Sequence, residues 1–292
     1  MNIGRVGIWT FALDLQPAAQ AQEAAAEIEA LGYGAIWIPE ALGREAFTNA
    51  ALLLAGTRRI TIATGIASIW ARDPMAMAAA QKTLAEAYPD RFLLGIGVSH
   101  APMVGMRGHL YDKPLSAMRA YLNSMDSAPF MAHPPSHPPK RVLAALAPKM
   151  LRLAAEQAAG SHPYFVPPEH TAYARQVMGQ GPLLAPEQAA VLETDPSAAR
   201  AVARAHMSIY LGLPNYANNL KRLGFTDDDI ANGGSDRLVD AIVVWGDVDA
   251  VVERVRAHHD AGADHVSVQV LDPDPRALPM RQWRELAPAL LG

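Results

Sequence analysis

The chain reads as an α/β protein folded into one (β/α)8 barrel over residues 1–292, and three observations point there. Short apolar runs alternate with helical patterns along the whole length, which implies a mostly parallel sheet. Eight such runs can be counted, with helices between them. No internal repeat, linker or second composition regime marks another domain, so a closed sheet is favoured over an open one. A barrel needs about 250 residues, which leaves room here for insertions at about 100–139 and 205–245.

The elements follow in order. Strand one is Val6 to Thr10, and Pro17 with the alanine-rich stretch after it forms a helix ending at Leu31, stopped by Gly32. Ala35-Ile36-Trp37-Ile38 is strand two. A short helix from Phe47 to Ala55 leads to strand three, Ile60 to Thr64. Asp73-Pro74 opens the next helix with a capping side chain and a proline at its first position. It runs to Tyr88, and Phe92 to Gly97 is strand four. A helix from about Pro114 to Met125 precedes a proline-dense loop, His133 to Pro139. Strand five is Arg141 to Ala145, with a helix opening at Pro148. Strand six is expected near His162 to Val166, its helix opening at Pro167-Pro168-Glu169, and strand seven around Leu183 to Ala185. Asp195-Pro196 repeats the capping device, and the pattern stays helical from Ala198 to Trp245 apart from a loop at Asn232 to Ser235. Asp247 caps a crossover helix whose apolar stripe is Val248, Val251, Val252 and Val255. Gly262 ends it, and His265 to Leu271 is strand eight.

Bulk properties exclude several function classes. Half the residues are hydrophobic, enough for a sizeable core, and the net charge of −4 offers no basic face to nucleic acid or an anionic membrane. Without cysteine there are no disulfides and no thiolate chemistry, and a reducing cytoplasm is the expected compartment. No apolar run reaches the roughly 18 residues of a membrane span. The start, Ile3 to Ile8, reads as a strand and not as a signal peptide. No HxH or HExxH pattern points to a metal, and His133 and His137 are separated by prolines.

Three stretches carry a family resemblance. They are Leu31 to Glu40; Ala63-Thr64-Gly65-Ile66 with Arg72-Asp73-Pro74, continuing through Tyr88-Pro89-Asp90-Arg91-Phe92 to Gly97; and Ala144 to Lys149, followed by His259 to Asp264. In this order the chain resembles the bacterial luciferase-like superfamily, especially its branch dependent on the deazaflavin coenzyme F420. The likeness fades in the proline-rich loop after Met125.

In such a barrel, function belongs at the C-terminal ends of the strands. Those positions hold Trp9 and Thr10, Glu40, Gly65-Ile66, Gly97 to His100, Leu146 to Lys149, and His162: few polar groups amid apolar surface, which suits a flat heteroaromatic ligand. The residues alone read Gly65 as a bend; the resemblance implies a non-prolyl cis peptide at Gly65-Ile66 behind the cofactor ring. Gly95-Ile96-Gly97 lacks the third glycine and the immediate helix of a dinucleotide fingerprint. Gly97 instead lets the chain approach the cofactor, with Val98 and Ser99 lining it. His100 stands where deazaflavin dehydrogenases of the family often carry a glutamate, and an imidazole preserves the acid/base capacity. Where related sugar-phosphate dehydrogenases place Asp-His, this chain has Glu40-Ala41. The carboxylate is kept and the histidine lost, which argues against that mechanism. The helix start at Leu146, Ala147, Pro148 and Lys149 is, by resemblance, where the cofactor phosphate sits. Trp9, Trp70 and His162 are the expected substrate-pocket residues, while mid-strand Trp37 reads as core.

The resulting expectation is an oxidoreductase transferring a hydride between F420 and a small organic substrate, with His100 and then Glu40 as proton-handling groups. The alternatives are an FMN-dependent monooxygenase on the same scaffold and a flavin-binding protein without chemistry. The resemblance also implies a homodimer.

Overall fold

The computed structural model describes residues 1–292, and its strands all run parallel. The first half alternates as β1 (Val6–Trp9), α1 (Ala18–Leu31), β2 (Ala35–Ile38), α2 (Ala46–Ala55), β3 (Thr61–Thr64), the two-residue β4 (Ala67–Ser68), α3 (Pro74–Ala87) and β5 (Phe92–Gly97). Then come α4 (Ala101–Met106), α5 (Pro114–Asp126), β6 (Arg141–Leu143), α6 (Pro148–Gln157), β7 (Gly160–Ser161) and α7 (Pro168–Met178). The last part holds β8 (Leu183–Leu184), β9 (Glu187–Val191), α8 (Pro196–Leu211), α9 (Pro214–Arg222), α10 (Asp227–Ile230), α11 (Asp236–Ile242), β10 (Val243–Trp245), α12 (Val248–Asp260), β11 (Val266–Val270) and α13 (Met280–Leu291). Helix starts follow the chemistry read from sequence. Asp73, Asp195 and Asp247 accept the N–H groups of Ala76, Ala198 and Ala250. Gly32 closes α1 at a φ of 100°.

Strands pair in the order β10-β9-β11-β1-β2-β3-β5-β6-β7-β8. The ring closes because β8 and β9 are two halves of one run. On one edge Leu183, Ala185 and Glu187 donate N–H to the carbonyls of Ala159, Ser161 and Pro163. On the other, the carbonyls of Leu184, Pro186 and Ala190 accept from Asp264, Ser267 and Leu271. Eight positions around the ring are thereby filled, and β10 pairs outside it on β9.

The barrel interior is packed by Ile3, Trp9, Ala35, Trp37, Ala63, Leu93, Val142 and Ala185, most of them from strands β1 to β6. The larger core lies between the sheet and its helices and includes Ile36, Leu53, Phe92 and Trp283. A third cluster joins β9 and β10 to α8, α9 and α11. Trp37 is interior core, as read. Its indole N–H donates to His265 Nε2 at 3.0 Å, and the His162 ring stacks on it at 4.1 Å and 12°.

Several sequence expectations need correction. Strand six is Gly160–Ser161, not His162 to Val166, because Phe165 turns at a φ of 61° that no strand holds. Glu187–Val191 was not foreseen as a strand, since its polar residues and Pro186 interrupt any apolar run. Val243–Trp245 is a strand inside the stretch read as helical. A final helix, Met280–Leu291, packs against α1 and α12 despite Pro288.

Burial keeps five histidines neutral: His162 and His258 at about 3, and His170, His206 and His265 at about 4. Unfolded, each takes a proton near its ordinary 6.5, so the stability they contribute is complete above 6.5 and drains as pH falls toward 3. One pH unit below 6.5, each withdraws about 1.4 kcal/mol. Glu187 works in the opposite sense, pushed up to about 8 by burial, its contribution lost as pH rises from 4.5 through 8. The histidines outnumber it. Urea melts at pH 7.5, 6.0 and 5.0 should therefore show the midpoint falling with acid; an unchanged midpoint would contradict the burial of neutral imidazoles.

Candidate active site

The C-terminal ends of the strands converge on one rim, and the floor of the site starts at β3. Gly65 donates its N–H to Ile38 O, and the Gly65-Ile66 peptide is cis. The Ile66 side chain lies over Gly97 at the end of β5. A Cβ on Gly97 would collide with Ile66 Cδ1, and one on Gly65 would collide with Trp9 Nε1. Trp9 is 2% exposed, and its indole N–H is buried without a partner. Floor and side wall are thus apolar, close-packed and carry one unused donor.

Beyond Gly97 the chain turns through Ser99 at a φ of 57°, and His100 follows as the residue before α4. His100 Nδ1 lies 3.2 Å from Asn215 Oδ1, and its ring rests on Tyr216 at 5.4 Å. An amide oxygen there makes Nδ1 the donor and leaves Nε2 as an acceptor. Burial lowers the imidazole below its ordinary 6.5, partly offset by Asn215, so the ring is neutral near pH 7. A neutral imidazole with one free acceptor can take up and return a proton. Half-buried Trp70 donates to Val98 O at 2.9 Å, which fixes the segment before Ser99.

Opposite stands an aromatic wall. The Tyr164 ring lies 5.0 Å from Trp9; its hydroxyl donates to Gln269 Oε1 at 2.8 Å and meets the Tyr210 hydroxyl at 2.9 Å. Tyr216 packs on Tyr210 at 5.4 Å and carries the contact across to His100. Nothing in sequence spacing announces Tyr164, Tyr210, Asn215, Tyr216 or Gln269. The only hint is a pair of tyrosines flanking the helix break Gly212-Leu213-Pro214.

The remaining expected residues fall in different places. Glu40 is a clamp: its carboxylate is 3% exposed, accepts the Ser68 N–H at 2.7 Å, and is bound by both terminal nitrogens of Arg72. Arg72 also pairs with Glu45 at 2.7 Å and lies over the Phe47 ring at 5.0 Å, tying β2, β4 and α2 together. His162 sits below the rim, 1% exposed, with Nδ1 2.7 Å from Ala185 O. Leu146, Ala147, Pro148 and Lys149 form the start of α6, which has no side-chain cap; Lys149 is exposed.

With this geometry in place, the chain can be compared with known proteins. The model of the luciferase-like monooxygenase family matches residues 5–265. A protein of Mycobacterium tuberculosis described as a coenzyme F420-dependent oxidoreductase is 26% identical over 90% of this chain and 93% of its own length. An F420-dependent secondary alcohol dehydrogenase, solved with an F420-acetone adduct, superposes with a TM-score of 0.79 at 14% identity, covering 99% of both chains. The oxygenating constituent of 3,6-diketocamphane monooxygenase from Pseudomonas putida, solved with FMN, gives 0.71 at 15% identity, covering 98% of this chain and 96% of that one.

The clamp generates a stability prediction. Arg72→Ala strands the Glu40 carboxylate without its cation and should cost about 3–5 kcal/mol. Pairing it with Glu40→Gln should recover most of that loss. A cost for Arg72→Ala near the 0–1 kcal/mol of a surface pair, measured by denaturant melts, would contradict the clamp.

Proposed function

This chain belongs to the luciferase-like monooxygenase family and is an oxidoreductase, and on that premise we propose that it moves a hydride between the deazaflavin coenzyme F420 and a small organic substrate. One observation carries the reading: an apolar, glycine-floored cradle lies beside the neutral imidazole of His100, whose Nε2 makes no hydrogen bond. The name of the mycobacterial relative supports the choice of cofactor.

The residues fit a planar tricyclic ring. Gly65 and Gly97 are glycines in a place where a Cβ would collide with Trp9 or Ile66, so these side chains close directly on the backbone of the floor, where the buried Trp9 N–H has no partner. Gly65, Ile66, Gly97, Val98 and Ser99 would hold the ring, and Leu146, Ala147, Pro148 and Lys149 its anionic tail. When bound, the deazaflavin supplies a carbon that accepts or donates a hydride; the protein supplies orientation, a dry pocket and the proton. His100 Nε2 takes the proton from a substrate hydroxyl in oxidation and returns it to a carbonyl oxygen in reduction. Half-buried Trp70 flanks the substrate, and buried Trp9 backs the cradle from the barrel interior. His162 supports this wall from beneath through Trp37, and Glu40 keeps the rim in shape without exchanging protons.

An FMN-dependent monooxygenase is the second reading, favoured by the likeness to the FMN-bound oxygenating constituent of 3,6-diketocamphane monooxygenase. Titration with oxidised F420 and with FMN separates the two: saturable F420 binding with FMN ignored is expected, and the reverse preference overturns the deazaflavin assignment. In a substrate screen with F420, His100→Gln should bind the cofactor as the parent does but turn over about 100-fold more slowly. Unchanged turnover would remove His100 from the chemistry.

A further inference from the structure

Glu187 is the one fully buried acidic residue, at 1% exposure, and no cation acts on its carboxyl. It projects from β9. One carboxyl oxygen accepts the Phe165 N–H at 3.1 Å, and the other is buried without any partner. The N–H it holds belongs to a left-handed turn, since Phe165 has a φ of 61°, which bulky residues rarely adopt without outside support. The residue before it is Tyr164, whose hydroxyl meets Gln269 and Tyr210 and whose ring faces Trp9. The Phe165 ring packs on Tyr210 at 5.1 Å and on Tyr216 at 5.3 Å, and Tyr216 is the surface under His100.

We propose that Glu187 is a positioning residue for the active site: by anchoring the Tyr164-Phe165 turn, it sets both the Tyr164 hydroxyl and the aromatic seat of His100. The role in cofactor binding rests on the function proposed above; the anchoring does not.

The anchor also makes the site sensitive to alkali. Packed around the Phe165 turn are Tyr164 itself, His206 and Tyr210 from α8, Tyr216 from α9 and Gln269 from β11. None is a cation at neutral pH, because burial holds His206 at about 4. Burial likewise pushes Glu187 up to about 8, so at pH 7 the carboxyl keeps its proton. Ionised, it would place an uncompensated charge among tyrosine hydroxyls and draw them away from Gln269.

Infrared difference spectroscopy of the protein without cofactor should show a protonated-carboxyl band that titrates near pH 8 and is absent from Glu187→Gln. Trp9 emission, sensitive to the Tyr164 ring, should follow the same titration in the parent and lose it in Glu187→Gln. Oxidised F420 should bind the parent about tenfold more weakly above this transition, the equivalent of one lost hydrogen bond. Glu187→Leu, which cannot accept the Phe165 N–H, should bind weakly at every pH, and Glu187→Gln should rescue binding and remove the pH dependence. Parent-like F420 binding by Glu187→Leu, or a pH response that persists in Glu187→Gln, overturns the proposal. Should Glu187→Leu fail to fold, the glutamine variant and the spectra still decide. Failure of the parent to bind F420 at any pH strikes the functional assignment, while the band and the Trp9 titration continue to test the anchor.

Discussion

Closure of the ring through Leu183 to Val191 is the constraint on which the rest of the molecule depends. This run is bonded on both edges, to β7 and to β11, although Pro186 removes one donor in its middle. It also carries two buried polar residues, Glu187 and Gln188, where a parallel strand is normally apolar throughout. Gln188 is satisfied on the helix side by His258 and by the Ile242 carbonyl. Glu187, on the opposite face, is satisfied at only one oxygen. A polar strand in this position links architecture to chemistry, because the residue that sits in the seam reaches the turn carrying Tyr164.

The rim is assembled by a different device. Glu40 and Arg72 join the end of β2 to β4 and to the start of α2, and the Tyr121 hydroxyl donates to the Arg72 carbonyl at 2.7 Å, adding α5. These contacts stand the βα loops in fixed positions around the cradle. On the far side α9, part of the insertion after β9, delivers Asn215 and Tyr216 to His100. A carboxylate at a strand end thus serves the scaffold, and burial keeps the imidazole of His100 neutral beside it.

How much of this was legible in the sequence depended on the kind of residue doing the work. Ala35 to Ile38 and Phe92 to Gly97 are continuous apolar runs bounded by turn residues, and both strands have the bounds read from sequence. The aspartate caps of α3, α8 and α12 are local interactions and were equally plain. Gly160–Ser161 and Glu187–Val191 were not, because small and polar residues take strand geometry there only through their neighbours. Val243–Trp245 follows directly on α11, so its apolar residues continued a helical pattern. At the candidate site, position in the sequence pointed to Trp9, Gly65, Ile66 and Gly97 at or beside strand ends and to His100 just beyond β5. Tyr164, Tyr210, Tyr216 and Gln269 meet only because four separate elements are brought together, and no spacing encodes that. Glu40 could be placed but not assigned a partner, since Arg72 lies 32 residues away.

The central claim is that one rim of the barrel grips a planar ring against Ile66 and Gly97, within reach of His100. A crystal structure of the protein soaked with oxidised F420 tests it most directly. Ring density is expected on the Ile66-Gly97 floor, with the phosphate at the start of α6. Density for the ring at any other surface, with this floor bare, would contradict it.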